Sequence, residues 1–490
     1  SAGDRTPLGI CDSADSYAYV VITSSDILNS AGPYSVTNLL AHRRARGLTS
    51  TAVAVENIYT NYAGADNAER VRNFIIDAYN NWETEYVLLG GDTAVVPMRK
   101  LWCVAWPGSS YQDHIPSDLY FQCLDGTYNY DGDTYWGETT DGVSGGDVDL
   151  LAEVMIGRAS AETPAEMTNF IYKTLSYETQ GDATPYLRSA LMVGEYLGFG
   201  GISDYATASM EEIRLGSSSN GYTTAGFASC ERYTVDTLYD STSNTWYKAD
   251  MLAKINSGQY SIFNHLGHAN YNYVMKFYNA DADTLTNTQY SFAYSQGCIP
   301  GNFESDCLAE HLTTSTRYGM YAVVFNARYG WGSGYSTDGP SQRFDRQFWD
   351  AYFSEQLVAI GALNADSHED NLWGIDDQCI RWCYYESNLL GDPATPMRGQ
   401  SIPDAILITP GSGFAPQGPV GGPFEPSTRT YSLQCTASNQ SLNWAMTCAS
   451  NWVTCSPASG TLEAGGRCTV TVSVNSAAAA LPAGLYNATL

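Results

Sequence analysis

"SIFNHLGHAN", residues 261–270, is the stretch that decides the reading of this chain. A short apolar run ends in a glycine and a polar loop, and two of the chain's 6 histidines flank that end. Such a run, bounded by turn signals and carrying Ile and Phe, reads as a buried strand. Residues three apart on a strand point to opposite faces, so His265 and His268 are not expected to chelate one metal. An H-x-x-H pair with no third ligand motif also makes a poor zinc site. Open α/β sheets hold their chemistry outside the carboxyl ends of strands. His268 therefore reads as the chemical residue, and His265 as one that packs or hydrogen-bonds in the sheet.

Working outward, "AYSQGCIPGNF" (293–303) is a second strand end, and Cys298 follows His268 by 30 residues. That length accommodates a crossover between neighbouring parallel strands. A thiol becomes a useful nucleophile near neutral pH when a base or an imidazolium stands beside it. On spacing alone, a satisfied core histidine and a buried free cysteine explain the same residues. The surroundings are α/β. "YAYVVITSS" (17–25), "STAVAVENIY" (50–59) and "YVLLGGD" (86–92) are strand patterns. Helical patterns interleave with them, such as "AERVRNFIIDAYNNW" (68–82). A second series runs through "RSALMVGEYLG" (188–198) and "YGMYAVVFNARYG" (318–330), with helical "SDCLAEHLTTST" (305–316) and "SQRFDRQFWDAYFSEQL" (341–357) between and after. Strands alternating with helices predict parallel sheets. Residues 1–184 and 185–402 are read as two α/β subdomains. Pro/Gly-rich 403–427 is read as a linker, and 428–490 as a small Ig-like β-sandwich that the sequence cuts short.

Composition narrows the class. The chain has 490 residues, 24 basic against 52 acidic, for a net charge of −28. That balance argues against nucleic acid or an anionic membrane as partner. No apolar run reaches membrane-spanning length. Solubility rests on Ser, Thr, Asn, Gly and 36 tyrosines, a composition read as secreted or cell-surface. Of 12 cysteines, Cys435, Cys448, Cys455 and Cys468 crowd the C-terminal end, a density that suits disulfides. "LDGTYNYDGDTYWGE" (124–138) sets acids on a Gly-rich turn, outside the EF-hand frame. Hard oxygen donors suit a structural Ca²⁺. Asp131 and Asp133 are the first candidate ligands, with Asp125, Asp147 and Asp149 behind them, and a solvated acidic turn is the plainer reading. No cofactor for the chemistry is expected.

These segments resemble the gingipain family of cysteine peptidases, in the caspase and legumain clan. "GHAN" (267–270) and "GCIPGNFESDCLAEHL" (297–312) match its catalytic His and Cys elements. "PSDLYFQCLDGTYNYDGDTYWGE" (116–138), "DVDLLAEVMIGRAS" (147–160) and "WCYYESNLLGDPATPM" (382–397) match other segments, and the likeness runs collinearly over residues 17–398. The resemblance implies a caspase-like layered domain with two parallel-sheet subdomains, followed by the Ig-like sandwich. It implies a secreted endopeptidase made as a zymogen, acting on protein or peptide substrates through a thioester acyl-enzyme. Cys298 would be the nucleophile, His268 the general base and acid, and Glu153 the residue that orients His268. The oxyanion would sit on the backbone N–H groups of Ala269 and Cys298. Trp331, Glu166 and Asp338 would line the substrate site, with Glu162 and Glu195 as further acids able to select a basic P1 residue. The sequence has Ala269 after the His and Gly297 before the Cys, where relatives have Gly and Ala. A left-handed backbone at Ala269 would be strained. The competing reading is an inactive peptidase-like surface module used for adhesion or assembly. A glycan-acting enzyme would need paired carboxylates, and no clear pair emerges. The C-terminal region could serve attachment or assembly.

Overall fold

Five-residue apolar runs build the first sheet because both faces of a parallel strand are covered. The computed structural model describes residues 9–105, 111–181, 184–230, 232–241, 245–399, 406–435, 441–448, 450–463 and 466–490. They fall into two compact units, Ser1–Gln400 and Ser401–Leu490. In the first unit, β1 (Tyr19–Thr23) and β3 (Tyr86–Gly90) are buried at every position. They pair in parallel with β2 (Ser50–Ala54) and β6 (Met155–Ala159), in the order β2-β1-β3-β6. The helix Asn67–Trp82 starts where Asp66 accepts from the Glu69 N–H, and buries Val71, Phe74, Ile75, Ala78 and Trp82 along one face. The strands β4 (Arg99–Val104) and β5 (Gln112–Ser117) form a separate antiparallel pair.

The second sheet holds the site. Its order is β14-β13-β12-β9-β7-β8, from β7 (Ser189–Gly194), β8 (Thr234–Tyr239), β9 (Ile262–Leu266), β12 (Ser291–Ser295), β13 (Met320–Asn326) and β14 (Ser387–Leu390). A small hairpin, β10 (Tyr273–Val274) and β11 (Phe277–Tyr278), lies between β9 and β12 in sequence. All pairings in this sheet are parallel except that of β14 with β13. From β7 the chain moves first to β8 on one side and then to β9 on the other. The order therefore reverses between β7 and β9, the kind of switch point where α/β sheets bind ligands. The predicted helix after Cys298 is shorter than its pattern suggests. Leu308–Glu310 is α-helical, and His311–Ser315 widens into a π turn. The buried Lys173 ammonium donates to the carbonyls of Leu312, Thr316 and Tyr318 there.

In the second unit, β15 (Ile406–Thr409), β16 (Thr428–Cys435), β20 (Arg467–Val474) and β18 (Val453–Ser456) form an antiparallel sheet in that order. The strands β17 (Leu442–Ala445) and β19 (Ser459–Leu462) pair separately. The expected linker 403–427 is thus in part a strand: the apolar run Ile406–Thr409 pairs with Ser432–Cys435. Among the described residues no disulfide forms. Register explains this in part: Cys468 faces Leu433 and Cys455 faces Val472, so no two cysteines stand opposite each other on these strands. No helix among the described residues is long and apolar enough to cross a membrane.

One buried ion cluster ties the first unit together. Arg43 pairs with Glu178 and Asp392 at 2.8 Å each, and Tyr19 donates to Asp392. These residues come from β1, the helix Val36–Ala45, the helix Pro164–Glu178 and the turn after β14. Burial pushes the Glu178 carboxyl up, but Arg43 and His42 pull it down to about 2. A folded-state pKa below the unfolded value of about 4.3 gives stability that is present above that value and lost as pH falls through about 2. Glu178→Ala should cost about 3–5 kcal/mol by leaving Arg43 buried with only one anionic partner, Asp392. Urea unfolding at pH 7 checks this, and a loss below about 1 kcal/mol would contradict it.

Candidate active site

Register places the two chemical residues. In the parallel pairing of β9 with β12, His265 stands opposite Ser295. His268 and Cys298 each follow three residues later, so their loops leave adjacent strands side by side. The loops touch. A Cβ added at Gly297 would lie 2.6 Å from the Ala269 Cβ and 3.2 Å from the Gly267 carbonyl oxygen. The two departures from the family pattern therefore compensate each other: the methyl absent before the cysteine is present after the histidine.

The turn at Cys298 directs its amides. The Gly297 N–H donates inward to Ser295 Oγ at 3.1 Å. The Ile299 N–H donates to the Arg328 carbonyl at 2.8 Å. Among the described residues, the N–H groups of Cys298 and Ala269 meet no acceptor. These are the two amides expected to bind an oxyanion. Ala269 is not in the left-handed region; the strain lies at Ile299, with φ of 73°. A β-branched residue there is a true outlier, of the kind that clusters at functional sites. The Asn302 N–H to Ile299 carbonyl bond at 3.0 Å closes the turn that holds it.

Cys298 and His268 are neighbours that rest apart. Cys298 Sγ lies 3.9 Å from the Gly330 carbonyl oxygen. Burial, with the Glu386 carboxyl adding to it, pushes the thiol up to about 11. His268 Nε2 is 3.1 Å from the Leu197 carbonyl oxygen, and Phe199 stands edge-on to the ring at 6.3 Å. A carbonyl only accepts, so Nε2 carries the proton and Nδ1 of the neutral ring is the basic nitrogen. Trp331 follows Gly330, whose carbonyl lies against Cys298. Its ring packs edge-on against Tyr111 at 5.3 Å and Trp382 at 6.0 Å.

Several expected partners are elsewhere. Glu153 does not orient His268. It precedes β6, on that strand's amino side, and accepts from the Leu124 N–H at 2.6 Å. Burial, then the charges of Asp149 and Asp125, raises its pKa to about 7. Glu166 closes a capping box with Thr163 at the start of the helix Pro164–Glu178. Asp338 is held by both ends of the Arg343 guanidinium, at 3.0 and 2.7 Å, and accepts from Tyr222. Glu195 bonds His265. The carboxylates of Asp131 and Asp133 come together with that of Glu138, all ligand oxygens within 4.8 Å. Asp125 and Asp149 bond to each other instead, the Asp149 carboxylate accepting from the Asp125 N–H, and Asp147 accepts from Thr127. Glu138 was in the acidic loop but off its alternation, which is why spacing missed it.

Two residues carry no sequence signal at all. Ser295 ends an apolar strand, and Glu386 ends the helix Gln378–Glu386. Fully buried, the Glu386 carboxyl is pushed well above its usual range, and it accepts from the Arg328 N–H. That places it behind the Ile299 turn, since Arg328 in turn accepts from Ile299.

The profile of peptidase family C25 matches residues 12–398, and that of the viral BACON domain matches residues 416–489. Among solved structures, the chain is similar to the Arg-specific cysteine proteinase gingipain R (RGPB). Identity is 18%, with 96% of this chain and 93% of that one covered and a TM-score of 0.59. It is also similar to the complex of Porphyromonas gingivalis RgpB pro- and mature domains, at 17% identity, 94% of each chain and a TM-score of 0.56. A structure titled only as a protease gives 18% identity, 93% and 90% coverage and a TM-score of 0.57. No curated protein matches the chain. If Ala269 and Gly297 share one methyl-sized space, Gly297→Ala should lose about 1–3 kcal/mol of stability, and Ala269→Gly in the same chain should restore most of it. Thermal unfolding of the two single variants and the double checks this; additive losses would contradict it.

Proposed function

Since the chain belongs to peptidase family C25, we propose that it is a cysteine endopeptidase in which Cys298 attacks the scissile carbonyl and His268 moves the proton. The observation that carries this reading is the pair of adjacent strand ends, with the Cys298 and Ala269 amides left without acceptors between them. A thiol with a pKa of about 11 is protonated near neutrality. Attack therefore needs His268 Nδ1 to take the proton as the C–S bond forms. The ring must swing toward Cys298, a movement that substrate binding supplies. The carbonyl π electrons move to oxygen, where the two N–H groups meet the charge. His268 then gives its proton to the leaving amine, and a thioester remains. Water, deprotonated by His268, hydrolyses it.

With Glu166, Glu195 and Asp338 committed to other partners and Glu162 exposed, this reading takes the aromatic pair Trp331 and Tyr111 as the P1 wall. The reading gives a preference for a large apolar P1 side chain over Arg or Lys. A structural Ca²⁺ fits Asp131, Asp133 and Glu138, a hard oxygen donor set. It would fix the loop 124–138 and takes no part in the chemistry. Maturation from a zymogen and action outside the cell belong to the same reading.

Profiling a mixed peptide library tests it. The expected result is cleavage after large apolar residues, abolished in Cys298→Ala and reduced at least about 1,000-fold in His268→Ala. No cleavage by the folded protein with Ca²⁺ supplied would instead support an inactive peptidase fold used for binding.

A further inference from the structure

Beneath the two catalytic loops lies a second histidine site that the mechanism above does not use. His265 Nδ1 is 2.8 Å from Ser295 Oγ, and its Nε2 is 3.0 Å from Glu195 Oε1. Exposure is 0% for His265 and Ser295 and 3% for Glu195. The three residues close the ends of three adjacent strands: Glu195 follows β7, His265 is on β9 and Ser295 ends β12. They stand at the switch point of the sheet.

The constellation has the order of a Ser–His–acid triad, but its chemistry is already spent. The Glu195 oxygen accepts, so Nε2 carries the ring proton. The bare Nδ1 then accepts from the Ser295 hydroxyl. A lone pair of that hydroxyl accepts the Gly297 N–H. Every donor has an acceptor, and Ser295 has neither access to solvent nor a proton to spare. A buried polar group costs free energy unless it is bonded, so an apolar trio would be the simpler way to end these strands.

We propose that Glu195, His265 and Ser295 are a positioning relay that aims the Cys298 amide at the oxyanion. The inference rests on the peptidase reading. The relay touches each catalytic loop one residue before its functional side chain. At the cysteine, Ser295 Oγ draws the Gly297 N–H inward, which leaves the following N–H, that of Cys298, without an acceptor. At the histidine, Gly267 packs on the relay: a Cβ there would lie 2.4 Å from Glu195 Cδ and from His265 Nε2. The relay thus sets the height of both loops above the sheet. Without the Ser295 hydroxyl, the Gln296–Gly297 peptide keeps only the Asn326 amide, 3.2 Å from its carbonyl, and the oxyanion loses a firmly fixed donor.

The test separates oxyanion stabilisation from thiol reactivity. Ser295→Ala should lower kcat about 10- to 100-fold with KM within about threefold, the scale of losing part of one oxyanion donor. Ser295→Thr keeps the hydroxyl, and Glu195→Gln keeps an acceptor; both should stay within about threefold of wild type in kcat. Alkylation of Cys298 by iodoacetamide forms no oxyanion, so its rate should be the same in all variants. An unchanged kcat in Ser295→Ala would overturn the proposal. So would a parallel fall in kcat and alkylation, or failure of both conservative variants to retain activity. Amide exchange reads the relay independently of turnover. The Gly297 amide should exchange faster in Ser295→Ala than in wild type at equal thermal stability, and equal exchange would overturn the relay. A wild type that cleaves no peptide but shows that exchange difference would refute the peptidase reading and the oxyanion role, and leave the relay's hold on Gly297 standing.

Discussion

The parallel pairing of β9 with β12 is the constraint on which the site depends. Its register puts His265 opposite Ser295, and that one correspondence fixes His268 beside Cys298. A slip by one residue would reverse which side chains face each side of the sheet. The pairing is locked at its end on both faces. On one face His265 and Ser295 meet Glu195. On the other, the Asp345 carboxylate accepts from Asn264 at 3.0 Å, from Gln296 at 2.6 Å and from Trp349 at 3.0 Å. Burial raises Asp345 to about 7, with those three donors pulling the other way. A buried polar network of this kind favours the one register that pairs its members.

The electrostatics around the strand ends follow from their burial. Carboxylates around the strand ends are matched: Glu304 and Asp113 hold Arg328, and Asp240 holds Lys276. Burial holds the Glu386 carboxyl well above its usual range behind the Ile299 turn. The thiol, raised by the same burial, rests as a thiol. With its sulfur held as a thiol, a site of this kind depends on geometry. The strained Ile299 turn and the fitted Ala269–Gly297 contact are where that geometry is stored.

The fold was legible in the sequence because its strands are runs such as Tyr86–Gly90, buried on both faces, between amphipathic helices such as Asn67–Trp82. The placement of Cys298 and His268 at adjacent strand ends was legible because each follows an apolar strand with a glycine beside it. Their partners were not. Glu195, Ser295 and Glu386 act through tertiary placement, and one polar residue at a strand end looks like any other. Glu153 misled for the opposite reason: it stands near a strand start in a matching segment, but its carboxylate turns to the Leu124 amide. Glu166 and Asp338 misled because sequence cannot show that a capping box and an arginine already hold them. The strand at Ile406–Thr409 was hidden by the prolines and glycines that follow it.

The central claim is that Cys298 carries the acyl group while the amides at 269 and 298 hold the oxyanion. Rapid acid quench of the protein with a peptide thioester or ester, followed by mapping of the adduct by mass spectrometry, tests it most directly. The account predicts a mass equal to the acyl group on the peptide containing Cys298, absent in Cys298→Ala and strongly reduced in His268→Ala. An adduct on another cysteine, or none while the ester is turned over, would contradict it.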